Sequence, residues 1–168
     1  IKIDLKKHKE QEEELRIKED IFNILVKDAE MDPPESVIDR ELKFMIEGMK
    51  FQIAQSGMKH EDSGFEPEKA IKEWREKAVF NTTGYMMLES IAAAENIHLT
   101  QQDMEGEYEL LAKQTKQKVE EIQKRIMSNP DSLSQTTTKI LGQKAMNFIY
   151  SNCEFEFYKE GEEPEDKP

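Results

Sequence analysis

The clearest hydrophobic pattern in the chain begins just after a pair of prolines at residues 33 and 34. Asp32 can cap a helix there, and prolines suit a first helical turn, where a missing N–H costs nothing. Five apolar residues then recur at spacings of three or four: Ile38, Leu42, Met45, Met49 and Ile53. This spacing puts them on one face of an α-helix and predicts a helix over residues 35–55.

Similar periodicity predicts four further long helices, at about residues 1–30, 67–96, 100–128 and 130–152. Thr100 and Asp103 resemble a capping box, which marks the start of the fourth of the five helices. A polar run at residues 113–118 interrupts its apolar face. Residues 100–128 are therefore either one helix with a polar middle or two helices with a turn near Thr115.

The end of the chain departs from this pattern. Residues 153–158, CEFEFY, alternate like a strand but have no partner strand, so we expect an extended segment whose Phe155 and Phe157 dock on helices. Residues 159–168 are acidic and contain proline, which is typical of a loosely held tail. The predicted fold class is all-α: one elongated, multi-helix domain over residues 1–158 with a short extended segment and an acidic tail.

Composition supports long, exposed helices. Charged and hydrophobic residues each make up 36% of the 168 residues, and glycine and proline number only seven and six. The net charge of −12 disfavours nucleic acid and anionic membrane as partners. No apolar run approaches the ~20 residues of a membrane span, and a lone Cys153 supports no intrachain disulfide. The first residue is Ile1 rather than Met, so we expect a fragment of a longer protein.

Catalytic and metal-binding motifs are missing from the sequence. His8, His60 and His98 fit no metal-ligand spacing, and no glycine-rich phosphate loop occurs. We therefore predict no enzymatic activity, no metal and no cofactor for this segment. The remaining feature of the composition is its high content of Met and Phe, with nine and eight residues. Any one of them suits an ordinary helical core, but together they favour an apolar groove for protein partners.

The order and spacing of five segments resemble the bacterial trigger factor family over nearly the whole chain. These segments are residues 29–42 (AEMDPPESVIDREL), 75–78 (REKA), 88–92 (LESIA), 95–100 (ENIHLT) and 144–146 (KAM). The resemblance implies a helical C-terminal chaperone domain, in which a body and two protruding arms form a cradle. It also implies a cytoplasmic, ribosome-associated protein whose ribosome-docking and prolyl isomerase domains are absent from these residues.

The resemblance further implies binding of unfolded or nascent polypeptides without ATP, through scattered apolar patches. The predicted contacts to such clients are Phe44, Met45, Met49, Phe51, Ile53, Met58, Phe65, Met86, Met87, Met104 and Met127. Ribosome contact is expected only through the absent N-terminal domain, and a homodimer is left open. The alternative function is a helical dimerisation or adaptor module with one defined protein partner.

Overall fold

A computed structural model describes residues 2–57 and 63–154, except for the side chains of residues 2–8. The described residues form seven helices and no strand. The helices are α1 (Lys2–Lys27), α2 (Glu35–Gln55), α3 (Pro67–Glu73), α4 (Arg75–Ala94), α5 (Gln101–Thr115), α6 (Val119–Met127) and α7 (Pro130–Asn152). The all-α prediction is confirmed. Residues 155–168, which include the predicted docking phenylalanines and the acidic tail, lie outside the described residues.

Two predicted helical regions are interrupted: residues 67–96, which the periodicity predicts as continuous, and residues 100–128, which it leaves open as one helix or two. The predicted helix over residues 67–96 breaks at Trp74, whose ψ of 0° is not helical although backbone hydrogen bonds continue on both sides. The Trp74 side chain packs against a cluster formed by Ile38 and Leu42 of α2 and Ala78 of α4. Within residues 100–128, the first helix ends at Thr115, because the backbone of Lys116 adopts the left-handed conformation (φ 56°). The two-helix alternative is therefore correct, and a single helix there is wrong.

The body of the molecule consists of α1, α4 and α7. Small side chains at its centre let α4 and α7 pack closely around four buried residues: Leu88, Ala92, Ala145 and Met146. The ring of Phe22 from α1 lies over Gly84 of α4, so close that an added Cβ would stand 2.0 Å from it. Only glycine permits this approach, and the same ring makes edge contacts with Phe80 and Tyr85.

The α2 arm is the region in which α2 packs against α3 and the start of α4. Its buried centre contains Ile38, Leu42 and Ala78. Two guanidinium hydrogen bonds of 2.6 and 2.7 Å join Arg75 to Glu35 at the exposed edge of this arm. No residue of α2 after Ile46 is buried, although Met49 and Ile53 are partly buried.

The α5–α6 arm is a small helical pair held against the start of α7. Its buried hydrophobic residues are Tyr108, Ala112, Ile122 and Ile126. The predicted capping box is present, because Thr100 and Asp103 exchange hydrogen bonds at the start of α5. Lys144 of α7 also donates to Asp103 over 2.6 Å. The Lys144 and Thr100 hydrogen bonds hold the pKa of Asp103 at about 2, below its usual value of 3.8.

Candidate functional site

An open concavity of about 1160 Å³ lies between the body and the two arms. Six helices contribute side chains to it, all but α3, and α7 contributes more than any other. The start of α7 is fixed locally by Asn129, whose side chain accepts hydrogen bonds from the backbone N–H groups of Asp131 and Ser132. That cap and Pro130 at the first turn set where α7 begins to line the concavity.

Seven apolar residues of the lining come from three helices and are here called the apolar wall. It is formed by residues of α1, α2 and α4: Leu15, Phe22, Val37, Phe44, Tyr85, Met86 and Leu88. Leu15, Phe44 and Tyr85 are 67%, 51% and 37% exposed, although each is large and apolar. Three helices thus expose apolar side chains to solvent within one recess, which is typical of a binding surface.

A polar stripe along α7 also lines the concavity. Its members are spaced three or four residues apart and share one helix face: Ser132, Gln135, Lys139, Gln143 and Asn147. The α5–α6 arm adds the apolar residues Leu111 and Ile126, but Ile126 is only 4% exposed and belongs to the core of that arm. The lining therefore combines exposed apolar residues of α1, α2 and α4 with a stripe of hydrogen-bonding groups on α7.

The charged side chains of the lining comprise three carboxylates and four cations. Each carboxylate accepts a hydrogen bond from a different helix: Glu41 from Asn81 (2.9 Å), Glu89 from Thr138 (2.8 Å) and Glu107 from Lys139 (2.6 Å). These contacts join α2 to α4, α4 to α7 and α5 to α7. Burial raises the pKa of Tyr85, and the nearby charge of Glu41 raises it further.

The four lining cations differ in what they contact. Lys139 pairs with Glu107, and Lys18 bonds to Asn147 over 2.6 Å and to a carboxylate of its own helix. Within the described residues, Arg40 and Arg125 have no carboxylate partner; Arg125 donates to the amide oxygen of Gln117 over 3.1 Å. Glu14, which pairs with Lys18, balances the fourth cation, so the charges of the lining and its partners sum to zero.

The structure separates the predicted client contacts into distinct locations. Phe44 and Met86 line the concavity. Met45 and Met104 pack against the buried clusters of the two arms, and Phe65 stacks on Trp74, with ring centroids 5.7 Å apart, beside a second pocket of about 160 Å³. The remaining described members lie outside the lining: Met49, Phe51, Ile53, Met87 and Met127. Met58 lies outside the described residues.

Several lining residues were missed by the sequence-based prediction. Leu15 is an isolated apolar residue in a charged stretch, EEELR, and that isolation was a usable signal. The run SLSQTTTK at residues 132–139 is rich in uncharged polar side chains, which was a signal for the polar stripe. Arg40, Arg125 and Tyr85 had no local signal, because only the tertiary fold brings them to one recess.

The described residues contain neither a metal-binding cluster nor a helix that could span a membrane. No group of three or more His, Cys, Asp or Glu side chains within residues 2–57 and 63–154 is placed to hold a metal ion. In the same part of the chain, every helix is too short or too polar to cross a lipid bilayer.

Comparison with known proteins gave consistent matches. A family model described as bacterial trigger factor protein C-terminus matches residues 1–151. Trigger factor of Bacillus mycoides is 27% identical over 157 residues, and that of Bacillus thuringiensis is 26% identical. Both alignments cover 91% of this chain but only 36% of the relative, so the chain spans about a third of these proteins.

The fold also matches a solved structure. A chain from a study of the domains of trigger factor from Thermotoga maritima superposes with a TM-score of 0.56 at 17% identity. The match covers 84% of this chain and 83% of the other. At this level of identity the likeness concerns the fold.

Proposed function

The chain belongs to the family of bacterial trigger factor C-terminal domains, and on that premise we propose that it is a chaperone domain that binds unfolded or nascent polypeptides in its concavity. The resemblance inferred from the sequence is confirmed at the level of the family. One observation carries the proposal: Leu15, Phe44 and Tyr85, from three helices, are exposed in one recess.

The size of the recess suits a polypeptide segment better than a small molecule. Its volume of about 1160 Å³ exceeds the roughly 300–1,000 Å³ of ordinary ligand pockets. It is also open, and its lining combines apolar side chains with amides, hydroxyls and charges. Such a surface can accommodate side chains of many kinds, as expected for clients without a common sequence.

Binding and release at this surface need no nucleotide. Complete burial of one large apolar side chain contributes about 1.5–3 kcal/mol. Ordering one residue of an unfolded client costs about 1–2 kcal/mol in backbone entropy. These opposing contributions are similar in size, so we expect weak, rapidly reversible complexes. A client that folds buries its apolar residues in its own core and no longer binds. The proposal is one of binding rather than catalysis.

Activities of a longer protein are assigned to other regions. We propose that ribosome contact and prolyl isomerase activity belong to domains outside these 168 residues, as the resemblance implies. The share of the curated relatives that lies beyond the match leaves room for such domains. The concavity is then the polypeptide-binding part of that protein.

Two phenylalanines of α2 give a matched test of the proposal. Phe44 and Phe51 are 51% and 52% exposed on the same helix, but only Phe44 lines the concavity. We expect Phe44→Ser, combined with Tyr85→Ser, to reduce the chain's suppression of aggregation of a chemically denatured enzyme. Phe51→Ser should leave suppression unchanged, although the sequence-based prediction included that residue.

Folding of each variant is checked by circular dichroism and by urea denaturation. A folded Phe44→Ser, Tyr85→Ser variant that still suppresses aggregation fully would refute the concavity as the client site. Equal losses from the lining and the Phe51 variants would favour a dispersed apolar surface instead. Stoichiometric capture of one folded protein, without binding to denatured chains, would favour the adaptor alternative.

A further inference from the structure

The hydrogen-bonding side chains of the concavity differ in whether their groups are already paired. Asn81, Thr138 and Lys139 each donate to a carboxylate of another helix, and so connect the arms and the body. Gln135 and Gln143 of α7 also line the recess, and neither side chain pairs with any group of residues 2–57 and 63–154. The hydrogen-bonding capacity still available on α7 therefore includes two uncharged amides.

Asn147 adds a third amide to the same helix face. Its oxygen accepts from Lys18 over 2.6 Å, which leaves its NH₂ group without a partner in the described part of the chain. An amide side chain carries N–H donors and an acceptor oxygen, the same groups that a peptide bond presents. The three amides can therefore pair with the main chain of a ligand, whatever the side chains of that ligand are.

The spacing of the three amides along α7 matches the repeat of an extended polypeptide. Gln143 and Asn147 are four residues apart, and Gln135 lies eight residues before Gln143. Four residues of an α-helix rise about 6 Å, and two residues of an extended chain span about 6.6 Å. Every second residue of an extended chain presents its N–H and C=O groups to the same edge. An extended segment that runs along α7 therefore brings a peptide group close to each amide in turn.

An exposed aromatic ring lies beside this row of amides. An added Cβ at Gly142 would stand 3.8 Å from the Tyr85 ring, and Gly142 directly precedes Gln143 in α7. Tyr85 belongs to the apolar wall and is partly exposed in the recess. A segment that pairs with Gln143 through its main chain can thus place an apolar side chain on Tyr85.

We propose that α7 binds the main chain of extended client segments through Gln135, Gln143 and Asn147, while the apolar wall binds their side chains. This inference rests on the proposed chaperone function and names the substrate class of that site, which is chain segments whose peptide groups are unpaired. A helical segment uses its peptide groups in its own hydrogen bonds, except at its ends. A client is therefore released as its main-chain hydrogen bonds form, and clients need not share a sequence.

The test uses three labelled peptides of the same composition. The first is an ordinary peptide in which apolar and serine residues alternate, and the second has ester bonds in place of its central peptide bonds. The third is stapled as a helix, with its apolar residues rearranged onto one face. Binding to the 168-residue chain is measured by fluorescence anisotropy.

The ester peptide keeps every side chain but loses its central N–H donors. We expect it to bind about tenfold more weakly than the ordinary peptide, as for the loss of two hydrogen bonds. The helical peptide should also bind more weakly than the ordinary one, because its N–H groups are already paired. Equal or tighter binding of either the ester or the helical peptide would overturn the proposal.

Substitutions then locate the effect. Methionine is similar to glutamine in length but has no N–H donor, so Gln135→Met, Gln143→Met should reduce the preference for the ordinary peptide over the ester from about tenfold to less than about threefold. The matched control is Gln102→Met, Gln114→Met, because both glutamines are exposed on α5 outside the lining. The control should keep the full preference. A preference that survives the α7 variant, or that the control abolishes, would overturn the assignment.

Failure of this inference is distinguishable from failure of the proposed function. If no peptide binds, and aggregation of a denatured enzyme is not suppressed, the chaperone function itself is refuted. If all three peptides bind equally, and Phe44→Ser, Tyr85→Ser weakens each of them, the concavity binds clients through their side chains alone and the main-chain contact is refuted. Circular dichroism of each variant ensures that lost binding does not reflect unfolding.

Discussion

The two arms are both helical and both amphipathic, yet they use their apolar residues differently. The α5–α6 arm has a buried core in which Ile122 is completely inaccessible, and it is tied to α7 through Glu107 and Asp103. Its exposed apolar residues, Leu110, Val119 and Met127, lie outside the lining of the concavity. The α2 arm has a smaller buried centre, and no residue of α2 after Ile46 is buried. Within the concavity, the α2 arm presents an exposed large apolar side chain, Phe44, and the α5–α6 arm presents none.

This difference is visible in the lining itself. Ile126 of the α5–α6 arm contacts the concavity but is 4% exposed, whereas Phe44 of the α2 arm is 51% exposed. An apolar residue that already packs in a core has little further surface to gain by binding a client. Client affinity is therefore expected to depend on the α2 arm and the body, and stability on the α5–α6 arm.

The largest expected effect on stability comes from the core of the α5–α6 arm. Ile122→Ala removes a completely buried side chain and leaves a cavity, so the free energy of unfolding should fall by about 3 kcal/mol. Phe51→Ala on the α2 arm should change it by less than about 0.5 kcal/mol, because that ring is half exposed. Urea denaturation measures both. Equal losses would show that the arms do not differ in packing.

The body that joins the arms offers a second test, at two glycines. Gly84→Ala should destabilise the chain by about 2 kcal/mol, because the new methyl group meets the Phe22 ring and forces it and α1 to move. Gly142→Ala is the control, since its Cβ would lie 3.6 Å from Leu88, an ordinary contact. Thermal unfolding that shows both variants equally stable would contradict the close packing of α1 on α4.

The ion pairs of the two arms should differ in their response to acid. The pKa of Asp103 is lowered to about 2 in the folded chain from an ordinary value of 3.8. Its contribution, about 1 kcal/mol after solvent screening, is therefore complete above pH 4 and is lost as the pH falls from 4 towards 2. The difference in unfolding free energy between the parent chain and Asp103→Asn should shrink over that interval.

Glu35→Gln provides the counterpart on the α2 arm. Its partner Arg75 is exposed, so the variant should show no measurable change in unfolding free energy at neutral pH. A pH-independent difference for Asp103→Asn, or a large effect of Glu35→Gln, would show that the two pairs have been assigned the wrong roles.

The smallest expected effects come from one helical glycine in each arm. Gly48 and Gly106 lie within α2 and α5, and an added Cβ meets no atom within 4 Å at either position. Alanine there should raise the free energy of unfolding by about 0.5–1 kcal/mol through better helix propensity. Similar gains in both arms would show that backbone propensity does not distinguish them, which leaves packing as the cause of their difference. A loss in either variant would show a hidden steric contact.

The local features of the fold could be predicted from the sequence more completely than its tertiary features. Proline positions and hydrophobic spacing predict the bounds of α2 and α7, and the capping box at Thr100 predicts the start of α5. Trp74, where the helix is interrupted, packs against a cluster that includes Ile38 and Leu42 of α2, and spacing along the chain does not contain that contact. The left-handed Lys116 is an uncommon conformation for a residue with a side chain, and its type gives no signal.

The candidate site was harder to predict than the fold, because core and surface apolar residues look alike in a sequence. Met45 and Met104 have the same helical spacing as Met86, but only Met86 lines the concavity. Leu15 and Tyr85 reach the recess from helices that are distant along the chain. Their convergence follows from how α1 and α4 pack, and hence from Gly84, rather than from either local pattern.

Site-specific photo-crosslinking to an unfolded client tests the central claim most directly. A photoreactive phenylalanine analogue is placed at position 44 or at position 51, two sites of equal exposure on α2. We predict that a denatured client crosslinks efficiently at position 44, inside the concavity, and poorly at position 51, outside it. Equal crosslinking at the two positions, or stronger crosslinking at 51, would contradict the concavity as the binding site.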